Sequence, residues 1–284
     1  MKNTKLLLVL ATIMLTTSCA KKQQPVPEVQ KPKDPKILVL YYSQTSNTKA
    51  VAQEIAQKLN ADIEEIVMTQ PYDGDFQATI DRCMVEREQG VIPDIKPVAA
   101  KIADYDIIFI GYPVWFGTYA PPVAAFLKQA NLSGKKIVPF CTFGSGGLES
   151  SVKDLEKAAP KATVLPGYGV RAARLDAMPY EVDQFLKAGG FLQGEYNRLE
   201  PFPAQREVSE KEEVIFNTAV DGYPMLHAKA KTFASRDIPN GVEYLFFAVD
   251  LPRKDNPKMP PAGELQVYVT VENGKAPVFT KVIR

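Results

Sequence analysis

KILVLYYSQTSNTKAVAQEIAQKL, residues Lys36 to Leu59, is the stretch on which the fold of the whole chain turns. Ile37, Leu38, Val39 and Leu40 form a short apolar run of the kind that makes a strand buried on both faces. Ser43, Gln44, Thr45, Ser46, Asn47 and Thr48 follow as a hydroxyl-rich turn without a bulky side chain. A helix is then predicted, with Val51, Ile55 and Leu59 at four-residue spacing along one face and Asn60 at its C-terminal cap.

Strand, hydroxyl turn and helix start together suit a dianion. The first helical turn leaves backbone N–H groups free, and the helix dipole adds partial positive charge there. Hydroxyls of Ser43, Thr45 and Thr48 can complete a phosphate site without Lys or Arg. The alternative is an ordinary strand-to-helix turn with Ser46 or Asn47 as N-cap.

Strand-like and helical patterns alternate outward from this stretch, from Lys36 to about Gly190. Strands are predicted at Lys36–Tyr42, Asp62–Val67, Ile107–Gly111, Lys136–Cys141 and Thr163–Tyr168. Helices are predicted near Thr48–Leu59, Phe76–Glu88, Pro121–Gln129, Glu149–Ala158 and Tyr180–Lys187. That alternation implies an α/β domain with a parallel sheet and right-handed crossovers. The third strand runs into Tyr112-Pro113-Val114-Trp115-Phe116-Gly117-Thr118-Tyr119, which carries the only Trp of the chain. The fourth runs into Cys141-Thr142-Phe143-Gly144-Ser145-Gly146-Gly147, whose glycines let backbone N–H groups approach a ligand. Trp115 can stack on a planar ligand or pack a loop against the core, and Phe143 can stack or face inward.

Taken in order, the three loops resemble those of flavodoxins. Ser43 to Thr48 resembles the S/T-x-T-G-N-T phosphate loop, with Ser46 where that family usually has Gly. Gly111 to Gly117 resembles the G-x-P-x-W-x-G segment, and Thr142 to Gly147 is similar to the T-x-G-S-type loop across the flavin. Gln70-Pro71-Tyr72 and Glu86 to Pro97 resemble an extended connection found in some bacterial members; a long helix plus loop covering the sheet is the other meaning. The resemblance implies a five-stranded parallel sheet of order 2-1-3-4-5, helices on both faces, and a crevice at the carboxyl ends of the strands. It implies FMN as cofactor, the phosphate falling on Ser43, Thr45, Ser46, Asn47 and Thr48. The flavin would meet Pro113, Val114, Trp115, Phe116 and Gly117 on one loop, and Thr142, Phe143, Gly144, Ser145, Gly146 and Gly147 on the other.

Two segments precede this domain. Lys2 and Lys5 form a basic start, Leu6 to Leu15 an apolar run too short for a mature membrane span, and Leu15-Thr16-Thr17-Ser18-Cys19 ends it. Residues 1–19 resemble a bacterial lipoprotein signal, with Cys19 as the lipidated residue; a simple secretory signal is the alternative. Lys21 to Pro35 is rich in Lys, Gln and Pro and is expected to be a disordered tether. The chain is therefore expected on the periplasmic or cell-surface side of a bacterial membrane, held by lipid alone. With no paired arginines, the signal resembles that of chains exported unfolded, so FMN would be captured outside.

After Gly190 a smaller α+β domain, residues 191–284, is expected, and no family is recognised in it. Ser209 to Thr218 reads as a helix, and Ser209 with Glu212 fits a capping box. Strands are predicted at Met225–Ala234, Val242–Leu251, Glu264–Glu272 and Pro277–Ile283, the last two joined by a tight hairpin at Asn273-Gly274. Leu265, Val267, Val269 and Val271 alternate with polar residues, giving one buried face. His227, the only histidine, has no partner motif, and Asp250, Asp255 and Glu264 lack calcium-loop spacing. Cys83 and Cys141 do not form a disulfide framework.

No nucleophile, general base or metal cluster stands out, and a formal charge of +1 gives no argument for nucleic acid. The resemblance implies an electron carrier, or a reductase of a small acceptor such as a quinone. From Lys36 to Gly190 there are 16 basic and 18 acidic residues, so electrostatic steering of a protein partner should be weak. The competing expectation is a non-enzymatic, surface-anchored binding module on a flavodoxin-like scaffold that has lost its flavin.

Overall fold

Ile107–Trp115, the third strand in the chain, runs through the middle of a parallel sheet, and Ile108, Phe109 and Ile110 are fully buried there. The structure is a computed structural model and describes residues 34–223, 226–252 and 263–284. Cys19, the signal segment and most of the tether lie outside the described residues, as do Met225 and Asp255.

The first half alternates as expected. It comprises β1 (Ile37–Tyr41), α1 (Asn47–Leu59), β2 (Asp62–Glu65), α2 (Phe76–Glu88), β3 (Ile107–Trp115) and β4 (Thr118–Tyr119). Then come α3 (Pro121–Gln129), β5 (Lys136–Phe143), α4 (Leu148–Ala158), β6 (Thr163–Val164), β7 (Tyr168–Arg171) and α5 (Met178–Ala188). The sheet order is β2-β1-β3-β5-β6, with β7 also paired to β5 and β4 to β3. Counting the parallel strands in chain order, this is 2-1-3-4-5. Leu38 and Leu40 pair with Ile108 and Ile110 and face a core shared with Val123 and Phe126 of α3 and Leu155 of α4. Val39 pairs with Phe109 on the opposite face, against Val51 and Ile55 of α1 and Val182 and Leu186 of α5. Two buried faces are why these strands read as unbroken apolar runs.

The fifth strand is broken where one continuous strand was expected. β6 pairs with the start of β5 and β7 with its end, leaving Leu165, Pro166 and Gly167 between them. Pro166 lacks a ladder donor, and Pro139 of β5 faces the gap. A Cβ on Gly167 would lie 2.8 Å from the Pro139 oxygen, so only glycine passes there.

The C-terminal part has five antiparallel strands in the order β12-β11-β10-β9-β8, one more than expected. They are β8 (Arg206–Glu207), β9 (Ala228–Ile238), β10 (Gly241–Asp250), β11 (Glu264–Glu272) and β12 (Val278–Ile283). Helix α6 (Glu210–Val220) covers one face through Phe216, which meets Phe246 edge-to-face at 5.1 Å. Full burial of a Phe side chain stabilises by about 1.5–3 kcal/mol.

Two local expectations need correcting. Ser209 is the N-cap of α6, but its hydroxyl donates to the Glu212 carboxylate rather than accepting a backbone N–H, so the capping box is not closed. Asn273-Gly274 forms a turn closed by Lys275 N–H to the Glu272 carbonyl at 3.0 Å, yet the strands rejoin only at Thr270 and Val278. The tight two-residue connection lies instead at Pro239-Asn240, between β9 and β10.

Candidate functional site

Three loops gather at the carboxyl ends of β1, β3 and β5. In the first, the Lys49 N–H donates to Ser43 Oγ at 3.2 Å, which closes the entry to α1. The backbone N–H groups of Thr45, Ser46, Asn47 and Thr48 donate to no described residue. Thr45 and Ser46 are exposed. Thr48 is buried, and its hydroxyl shares a 2.8 Å hydrogen bond with that of Thr142 on the neighbouring loop. Two hydroxyls spend only one hydrogen on their mutual bond, so the pair keeps a second O–H to offer. Gln44 ties the turn to the connection after β2, accepting from the Tyr42 hydroxyl at 2.6 Å and donating to the Asp73 carbonyl at 3.2 Å.

Ser46 has φ 63°, the left-handed conformation that glycine adopts freely. The departure from the Gly pattern therefore leaves the turn's shape intact at some conformational cost. Ser46→Gly should raise stability by about 1 kcal/mol once the greater chain entropy of glycine is subtracted. Thermal unfolding checks this: an unchanged or lower midpoint would mean that Ser46 carries no strain.

The second loop is a hairpin rather than an irregular loop. Val114 pairs with Tyr119 and Trp115 with Thr118, while Phe116 (φ 52°) and Gly117 (φ 81°) make the turn. Positive φ at both central residues is the type I′ geometry of tight hairpins. The half-buried Trp115 indole meets Tyr72 at 5.2 Å and Tyr42 at 6.0 Å, both edge-on. Tyr72 is held in turn. Its hydroxyl donates to Glu86 at 2.6 Å, Arg82 Nε donates to the same carboxylate at 2.8 Å, and the Arg82 guanidinium lies 4.4 Å from the ring centre. The Gln70–Tyr72 segment and Glu86, read in the sequence as a family likeness or as part of a helix and loop covering the sheet, are thus the support behind the indole. Phe116 is exposed, under the Arg87 guanidinium at 4.8 Å.

In the third loop Thr142 and Phe143 are buried, so the Phe143 ring faces inward, and Gly144 is exposed. Ser145 and Gly146 meet the C-terminal sheet: Val282 N–H donates to the Ser145 carbonyl at 2.7 Å, and a Cβ on Gly146 would sit 2.3 Å from the Val282 oxygen. Arg171 completes the join, its Nε donating to the Gly144 carbonyl at 2.9 Å and Nη1 to the Phe279 carbonyl at 3.1 Å. Lys281 pairs with Glu149 in the first turn of α4 at 2.7 Å. Gly147 lies against Val114, and Ser150 Oγ donates to the Gly117 carbonyl at 2.5 Å, so the second and third loops brace each other. No local pattern points to Arg171, Lys281 or Val282.

The donor set fits the phosphate of a flavin mononucleotide: backbone N–H groups and hydroxyls around an open turn, with a half-buried indole on the adjacent hairpin. Cys83 and Cys141 are free and buried, and burial pushes both thiols up. Among the described residues no cluster of His, Cys, Asp and Glu could hold a metal.

The sequence profile of the flavodoxin family matches residues 36–177, half of the 284-residue chain. A quinone-reducing NAD(P)H dehydrogenase of Cupriavidus metallidurans is 31% identical over 102 residues, which are 34% of this chain and 46% of that enzyme. The match thus spans about half the length of that relative. Among solved structures, a candidate flavoprotein of Bacteroides eggerthii is 28% identical, covering 55% of this chain and 98% of that one with a TM-score of 0.49. A Lactobacillus acidophilus flavoprotein in complex with FMN is 26% identical, covering 48% and 93% with a TM-score of 0.44. By its profile match over the three-loop domain, the chain belongs to the flavodoxin family.

Proposed function

We propose that this protein binds FMN and transfers electrons through it, held by a lipid anchor at Cys19 on the periplasmic or cell-surface side of a bacterial membrane. The observation that carries the proposal is the run of four unengaged N–H groups, Thr45 to Thr48, at the start of α1. With the hydroxyls of Ser43, Thr45 and the Thr48–Thr142 pair, they would hold the phosphate dianion without a cationic side chain. Trp115, steadied by Tyr42 and Tyr72, would offer its indole to the isoalloxazine, and Pro113 would stiffen that flank. Bound FMN supplies reversible one- and two-electron chemistry. The protein's part is to bind, orient and shield it. A quinone is a fitting small acceptor, given the name of the Cupriavidus relative.

The phosphate-directed turn predicts a ligand preference. FMN should bind more tightly than riboflavin, and Thr45→Ala should weaken FMN by about tenfold, the loss of one charge-assisted hydrogen bond, with little effect on riboflavin. Equal affinities for the two flavins, measured by fluorescence titration, would mean that the turn does not hold the phosphate. The anchor has its own test. Cys19→Ser should move the chain from the membrane fraction to the soluble one; a processed Ser variant that stays membrane-bound would remove Cys19 as the anchor.

One observation favours the second possibility, a binding module without flavin. The Gly144–Gly147 loop already spends its Gly144 and Ser145 carbonyls on Arg171 and β12. A folded chain that binds neither FMN nor riboflavin would contradict the flavin reading and favour this one.

A further inference from the structure

A cleft of about 450 Å³ opens between β7, α5 and the strands of the C-terminal sheet. That volume suits a small organic molecule. Its apolar walls are Phe143, Leu148, Tyr168, Tyr180, Ile238 and Pro239.

Three cations and three carboxylates also line it, and they are unequally paired. Arg174 Nη2 lies 2.9 Å from Glu181. Glu243 and Glu272 are neutralised from outside the lining, by Arg236 at 2.7 Å and Lys275 at 2.5 Å, and Lys281 by Glu149 at 2.7 Å. Arg171 is left over. Among the described residues its guanidinium meets no carboxylate, and Nη2 donates to none of them. Its partners are two backbone carbonyls and the rings of Tyr223 and Phe279, whose centres lie 4.9 and 4.6 Å away. Carbonyl dipoles and ring faces ease the burial of a cation without cancelling its charge. Arg171 is therefore the one lining cation without a carboxylate among the described residues, and it stands beside flat apolar walls.

We propose that this cleft binds a small organic monoanion with a flat apolar body, of the aryl carboxylate class, whose carboxylate pairs with Arg171. The anion supplies the missing countercharge, and the aromatic side chains bury its body. The proposal does not rest on flavin binding, although Phe143 lies in the third loop and Arg171 braces it. The bland role for Arg171 is to join the glycine loop to β12 and nothing more.

The two roles separate with a pair of fluorescent probes of one shape, 2-naphthoate and 2-naphthamide, titrated into the purified chain at neutral pH. Naphthoate should bind about tenfold or more tightly than the amide, the size expected of one charge-assisted pair. Arg171→Gln should bring the two affinities together. Asn240→Trp places bulk in the cleft from the exposed β9–β10 turn and should weaken both probes. That variant and the acid–amide contrast in the unaltered chain serve as the test if Arg171→Gln does not fold by circular dichroism. No naphthoate binding, equal affinities for acid and amide, a preference that survives Arg171→Gln, or naphthoate binding untouched by Asn240→Trp would each overturn the proposal.

Discussion

Trp115→Ala is expected to lower the affinity for FMN and for riboflavin together, by one to two powers of ten. The indole is half-buried at the end of β3, with Tyr72 and Tyr42 edge-on to it rather than stacked across it. Ring contact and apolar burial of a half-exposed indole against a flavin are together worth about 1.5–3 kcal/mol, and about 1.4 kcal/mol is tenfold in affinity. The equal loss for both ligands is the diagnostic part, because changes in the phosphate turn should separate them. Flavin and Trp emission should both be quenched on binding to the unaltered protein, and Trp115→Phe should keep most of the affinity. An Ala variant with unchanged affinity for either flavin would confine the indole to packing against its two tyrosines.

The largest effect on stability is expected at the contact between β3 and β5. Phe140 is fully buried and pairs directly with Gly111, where a Cβ would lie 2.1 Å from the ring. The aromatic ring thus lies over the one residue on β3 that leaves room for it. Phe140→Ala should cost about 3–5 kcal/mol through lost burial and the cavity left behind. Gly111→Ala should cost about 1–3 kcal/mol or more by overpacking. At about 2–4 °C per kcal/mol for a chain of this size, the former should lower the unfolding midpoint by roughly 6–20 °C. The two sites share one volume, so Gly111→Ala should be much better tolerated on Phe140→Leu than alone. Additive costs in that double variant would show that the ring and the glycine are not competing for space.

Much of the first half was legible because its signals are local. Phe76–Glu88 and Pro121–Gln129 match the expected helices at both ends. Asp75 caps the first by accepting from Ala78 N–H at 2.8 Å, and prolines at the start set the second. Asn60 takes the left-handed C-cap expected of it. The sheet order followed from the resemblance and the alternation together. What escaped depends on residues distant in the chain. The break between β6 and β7 needs Pro139 opposite Pro166 and Gly167. The turn at Pro239-Asn240 is the exception: it runs into Asn240-Gly241, a local signal one residue out of step with the turn, while Asn273-Gly274 opens into a longer connection. In the candidate site, the hydroxyl turn and the start of α1 after it were readable from residue types and the helix pattern alone. The grip of β12 on Ser145 and Gly146, and the part of Arg171 in it, exist only once the C-terminal sheet is in place.

The central claim, that the three loops form an FMN site, is tested most directly by one titration. The chain purified without its first twenty residues is equilibrated with increasing FMN while the flavin absorbance and emission are recorded. Saturable binding with a perturbed flavin absorbance band and quenched flavin emission is the predicted result. Free-flavin spectra throughout, from a protein shown to be folded, would contradict it.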